Sequence, residues 1–146
     1  EQETQNHDEE IELKELIYNR AEYFSVLAQS KHIECNLDLE EASITMDRRK
    51  FTRVIDNLIS NAIKYNKRNG TIGIQSREGM LVVWDTVRLL LQGKIPFIFD
   101  RYMRFNKSEG GFGVGLSIVK KILDEYHISI EVDSQEGEGT EMVLKW

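Results

Sequence analysis

The chain has 146 residues, 40% hydrophobic and 30% charged, with a formal net charge of −6 and one cysteine, Cys35. That suits a single globular domain with its own core. It argues against a general nucleic-acid binder, which carries a basic excess, and excludes an intrachain disulfide or a cysteine-rich zinc site, while no apolar run approaches the roughly 20 residues that span a bilayer.

Residues 1–10, EQETQNHDEE, are polar and acidic and read as a flexible leader or linker end, leaving a domain over 11–146. Residues 13–30 have helical periodicity, with Leu13, Leu16, Ile17, Phe24, Leu27 and Ala28 on one broad stripe. IECNLDL, 33–39, alternates apolar and polar as a strand does, with Cys35 a small packed side chain. A short strand around Ile44 follows, and Asp47 is placed to cap a helix over 48–66. TIGIQS and MLVVWD read as a strand pair turning near Glu78-Gly79, and 86–114 as loop with a short helical piece. GLSIVKKILDEYH, 115–127, is an amphipathic helix with Ile118, Val119, Ile122 and Tyr126 toward the core. ISIEVDS and GTEMVLKW close the chain as a hairpin around EGEG. Such mixed helices and strands predict an α/β (α+β) two-layer sandwich, one mixed sheet with helices on one face.

Two stretches stand out chemically. In DNLISNAIKYN, 56–66, Asn57 and Asn61 lie one turn apart on a helix face, although asparagine is a mediocre helix former. On a helical wheel Phe51, Val54, Ile55, Leu58 and Ala62 form the buried stripe, and Asn57, Asn61, Lys64 and Tyr65 cluster at its edge. An amide oxygen there is a hard, neutral ligand for Mg²⁺, and a lysine one turn on can meet phosphate oxygens. A solvated polar flank fits the spacing equally well. In GGFGVGLSIVKKI, the glycines Gly110, Gly111, Gly113 and Gly115 can bring backbone N–H groups close to an anion at the positive end of the helix. A surface linker is the alternative. No G-K-[ST] follows as in a Walker A loop, and the nearest strand lies too far upstream for a dinucleotide fingerprint.

Together these stretches resemble the ATP-binding catalytic domain of a bacterial sensor histidine kinase, of the GHKL or Bergerat-fold ATPases. NLISNAIKYN resembles the N box, IFDRYMRF (98–105) the F box, GFGVGLSIVKKI the second glycine box, and GEGT (137–140) the last glycine-threonine element. The resemblance covers 11–146 and implies a mostly antiparallel sheet, with ATP and Mg²⁺ as cofactors. It implies that Asn61 holds the metal, that Asn57 lies near phosphates or metal, and that Lys64 contacts phosphate. Tyr65 would line the base and sugar pocket; Gly113, Gly115 and Leu116 would border the phosphates; Thr140 would lie near the adenine. Asp85, at the end of MLVVWD, would accept a hydrogen bond from the adenine amine. Asp56, just before Asn57, is the candidate N-box acid. Phe99, Tyr102 and Phe105 would anchor a lid, and Arg101, Arg104 and Lys107 either reach phosphate or remain surface charges.

One motif departs from the family. Where D-x-G-x-G is expected, the chain reads Asp85-Thr86-Val87-Arg88-Leu89, followed by LLL over 89–91. Glycine permits positive φ and close approach to a ligand; valine and leucine do not. The expectation is a distorted loop, weakened nucleotide binding, or a lid packed shut by Val87, Leu89 and Leu90. The alternative function is therefore a nucleotide-impaired regulatory module of the same fold. None of His7, His32 or His127 sits in an acceptor motif. The resemblance thus implies a catalytic fragment that phosphorylates a histidine on its own dimerisation domain, absent from this chain. A response-regulator receiver domain would be the downstream partner. The expected setting is a cytoplasmic domain of a homodimeric, inner-membrane sensor protein.

Overall fold

The computed structural model describes residues 5–86, 112–135 and 139–146. In chain order these form β1 (Asp8–Glu12), α1 (Leu13–Tyr23), α2 (Ser25–Ser30), β2 (Glu34–Leu39), β3 (Ser43–Asp47), α3 (Arg48–Lys64), β4 (Thr71–Arg77), β5 (Met80–Asp85), α4 (Phe112–Glu125), β6 (Ser129–Gln135) and β7 (Gly139–Lys145). Strands β2-β4-β5-β7-β6 make one sheet, and β1 pairs with β3 in a second, two-stranded one. Among the described strands, only β2 and β4 run parallel; the other pairs are antiparallel.

The alternation of strand side chains decides where the core lies. Ile72 and Ile74 of β4, Leu81 and Val83 of β5, and Met142 and Leu144 of β7 all join one apolar cluster. From the helices, Leu16, Phe51, Ile55, Leu58, Val119 and Leu123 close over the same face. Helices α3 and α4 pack on each other there. On the opposite face, the ring of Trp84 lies over its cross-strand partner Gly73, where any Cβ would overlap the indole.

Several expectations are met in detail. Asp47 caps α3, accepting from the Arg49 N–H at 2.9 Å and the Lys50 N–H at 3.2 Å. The predicted stripe of α3 is buried, joined by Ile59 and Ile63. His32 and His127 both adopt φ of 56° just past a helix end. Each lies at the turn of a Schellman motif: Ile33 N–H donates to Ala28 O, and Ile128 N–H to Leu123 O.

Others are corrected. Asp8, Glu9 and Glu10 are not leader but strand, paired with Asp47, Met46 and Thr45. Side-chain ties reinforce that strand: Asp8 Oδ1 accepts from the Tyr126 hydroxyl at 2.6 Å, and Asp47 Oδ2 accepts from the His7 N–H at 2.9 Å. The single helix over 13–30 is two, broken at Phe24. That break turns Leu27 outward, 46% exposed. Cys35 is exposed rather than packed, because β2 is an edge strand only partly covered by α1 and α2. Helix α4 begins at Phe112, three residues earlier than predicted, and ends at Glu125.

Candidate functional site

The site is built where α3 ends and β5 and β7 meet. Tyr65 is the C-cap of α3, and the turn after it is closed by Lys31 from the loop ahead of β2. The Lys31 ammonium donates to the carbonyls of Ile63 at 3.0 Å, Lys64 at 2.9 Å and Asn66 at 3.0 Å. A cation at a helix C-terminus also meets the negative end of the helix dipole. Asn66, buried, accepts at Oδ1 from the Lys67 N–H at 2.8 Å and from the Thr86 hydroxyl, while its Nδ2 donates to Thr71 O at 3.2 Å. The helix end is thereby tied to the end of β5.

Asp85 closes β5 and is only 9% exposed. In the sheet register it stands directly opposite Thr140 of β7, itself 5% exposed. Directly opposed cross-strand side chains lie on the same face. A carboxylate and a hydroxyl are thus buried side by side at a strand end. Gly139, at φ of 109°, nestles against the Asp85–Thr86 backbone, where any Cβ would overlap Asp85 O.

On α3 the two asparagines differ. Asn57 is half-buried and its Nδ2 donates to Arg53 O of its own helix at 2.7 Å. Asn61 Nδ2 is buried and has no hydrogen-bond partner among the described residues. Such an orphan is costly unless something supplies its partner. Turning the amide about its last torsion exchanges nitrogen for oxygen at nearly the same place, so the group can present an oxygen to a cation. No cluster of three or more His, Cys, Asp or Glu stands ready for a metal among the described residues. That fits Mg²⁺, which commonly takes one or two protein ligands and completes its shell with phosphate and water.

The remaining candidates fall as follows. Lys64 is exposed, its ammonium 5.5 Å from the Tyr65 ring centroid. Gly113 and Gly115 lie in the first turn of α4, not in a loop before it. The first four N–H groups of a helix lack intrahelical acceptors, so the donor positions persist there. Leu116 is fully buried in the core, so its side chain packs rather than borders a ligand. Asp56 is separated from the others in role. Both its oxygens are held by Arg20 of α1, at 2.7 and 2.8 Å. With both oxygens committed to the guanidinium, Asp56 ties α3 to α1 and is not supported as a catalytic group. Arg104 lies outside the described residues, as do Phe99, Arg101, Tyr102, Phe105, Lys107, Val87, Leu89 and Leu90. Asn66, Thr86 and Lys31 were missed in the sequence. Asn66 stands at the end of the N-box stretch, yet periodicity does not mark a buried polar residue past a helix end.

Residues 46–146 match the family described as histidine kinase-, DNA gyrase B-, and HSP90-like ATPase. The chain belongs to that ATPase family. Within it, the similarity is to sensor histidine kinases. Sensor histidine kinase WalK of Bacillus subtilis is 32% identical over 142 residues, covering 89% of this chain and 23% of WalK. Heme sensor protein HssS of Staphylococcus saprophyticus is 28% identical over 141 residues, covering 94% of this chain and 31% of HssS. Among solved structures, the nucleotide-free catalytic domain of histidine kinase ThkA superposes with a TM-score of 0.83 at 27% identity, covering 94% of this chain and 93% of that one. The ATPase domain described here thus spans less than a third of those two curated relatives, and its architecture is that of a histidine-kinase catalytic domain. No helix among its described residues is long and apolar enough to cross a membrane.

Proposed function

We propose that this ATPase-family domain binds Mg²⁺-ATP and transfers the γ-phosphoryl group to a histidine on a separate dimerisation domain of the same protein. Phosphoryl transfer needs charge neutralisation and in-line placement more than covalent help from the protein. In this reading Asn61 presents its amide oxygen to the metal, and Asn57 lies near the metal and phosphates, where its amide N–H groups can donate to phosphate oxygens. Lys64 and the N–H groups at Gly113 and Gly115 neutralise phosphate charge. Tyr65 borders the ribose and base, and Asp85 accepts from the adenine amine beside Thr140. The metal, when bound, draws charge off the phosphates; this chain's residues orient the nucleotide and exclude water from the base. The acceptor histidine, a response-regulator receiver domain and a homodimeric, membrane-anchored sensor with this domain in the cytoplasm complete the proposal. It draws on the naming of the relatives as sensor kinases, and on a structure of ThkA in complex with a response regulator.

The observation that carries this reading is the pairing of a buried Asp85 and Thr140 at one strand end with an α3 whose Asn61 holds a buried amide nitrogen without a partner among the described residues. Calorimetry with ATP and ADP, with and without Mg²⁺, tests it. The expected result is Mg²⁺-dependent ATP binding that Asn61→Ala abolishes. Addition of a cognate dimerisation domain should then yield an acid-labile phosphohistidine. No detectable binding at millimolar ATP would overturn the reading.

A further inference from the structure

The departure from the glycine pattern begins at Val87, one residue beyond the last described residue of that segment, Thr86. Thr86 is held unusually well for a residue at a strand end. Its N–H donates to Thr71 O at 3.1 Å, carrying the β4–β5 ladder one step past Asp85. Its hydroxyl accepts from the Thr71 N–H at 3.1 Å and donates to Asn66 Oδ1. Two glycines press on the same spot. A Cβ at Gly70 would overlap Asn66 Oδ1 and the Thr86 hydroxyl, and a Cβ at Gly139 would overlap Asp85 O. The Asp85–Thr86 peptide is thus gripped from β4, from β7 and from the end of α3.

The hydrogen bonds of that grip share their members. The hydroxyl donates to Asn66 Oδ1 and accepts from the Thr71 N–H; Asn66 Oδ1 also accepts from the Lys67 N–H, and Asn66 Nδ2 donates to Thr71 O. A part-buried polar network whose bonds share their members favours one geometry; removing one member leaves the others short of a partner. The residue immediately before Thr86 is Asp85, whose carboxylate must sit at one place to accept from an exocyclic amine. Strand alternation sends the Thr86 and Asp85 side chains to different sides, so Thr86 does not touch the base. It fixes the backbone from which Asp85 projects.

We propose that the Thr86 hydroxyl, latched to the Asn66 amide, positions the Asp85 carboxylate for an adenine amine and so is a specificity-positioning residue of the nucleotide site. This rests on the reading of Asp85 as the base-recognising group. It also means that loss of the glycines at 87 and 89 stops short of base recognition: phosphate-side affinity falls while the preference for adenine survives.

Competitive binding of ATP and GTP to the 146-residue chain tests the latch, with Thr86→Val, Thr86→Ser and wild type side by side. Wild type should prefer ATP. Thr86→Val, which keeps the shape and removes the hydroxyl, should lose about tenfold in ATP affinity and most of the ATP-over-GTP preference. Thr86→Ser, which restores the hydroxyl, should recover both. A merely structural residue would lower the melting temperature without moving the ratio. If Thr86→Val fails to fold, Thr86→Ala carries the same test without a methyl facing Asn66. A folded hydroxyl-less variant with the wild-type preference would sink the positioning role alone. A wild-type chain that binds neither nucleotide would instead sink the nucleotide reading, and this inference with it.

Discussion

Asp47 gathers three backbone N–H groups on one buried carboxylate: His7 on one oxygen, Arg49 and Lys50 on the other. It thus caps α3 and ties down the chain entering β1 with a single side chain. The bond from His7 is the largest influence holding its pKa below the ordinary value; burial opposes it, and the α3 N–H groups and Arg49 add to the lowering. Because the folded pKa is lowered, Asp47 contributes fully above its unfolded pKa of about 3.9. That contribution is lost as pH falls through the folded value. Asp47→Ala should therefore cost about 2 kcal/mol at pH 7 and flatten the loss of stability below pH 4. Urea unfolding midpoints at pH 7 and pH 3 check both, and an unchanged slope between them would refute the assignment.

Helix α3 is secured at its two ends and along one flank, and each device predicts something different. At the C-terminal end, Lys31→Met keeps the aliphatic stem and releases three carbonyls. It should lower stability by about 1–2 kcal/mol and weaken nucleotide binding through the Lys64–Tyr65 turn. Thermal melts and nucleotide titration read the two effects separately. On the flank, the Arg20–Asp56 pair joins α1 to α3 with side chains 25% and 29% exposed. Its two-point geometry favours it, but partial exposure limits it to about 1 kcal/mol. Asp56→Asn should lose that much in urea unfolding and leave nucleotide affinity as it is; a large loss of nucleotide affinity would return Asp56 to the site. The core stripe of α3 was legible in the sequence because apolar spacing of 3 and 4 reports a helix face directly. The Arg20–Asp56 tie was not, since 36 residues separate the partners and surface charges carry no periodic signature. The break at Phe24 escaped for a related reason: no proline or glycine marks it.

At the scale of the whole molecule, α3 and α4 pack on the same face of the sheet, as a ligand shared between them requires. That arrangement was legible from motif order alone. The pairing of Asp85 with Thr140 was legible only through family resemblance, because strand register across 55 residues is set by packing and not by local pattern. The departure at Val87 and Leu89 supplies the test of how site and molecule are coupled. Glycine is the more flexible residue in the unfolded chain, so Val87→Gly with Leu89→Gly should lower the melting temperature in the absence of ligand. With ATP the sign reverses. Ligand stabilises the folded state by RT ln(1 + [L]/Kd), so a tenfold tighter Kd adds about 1.4 kcal/mol at saturating ATP. For a domain of this size that is a further rise of about 3–5 °C. The double variant should melt below wild type alone and show the larger ATP-dependent rise. Equal rises in the two proteins would mean that the lost glycines do not limit nucleotide binding.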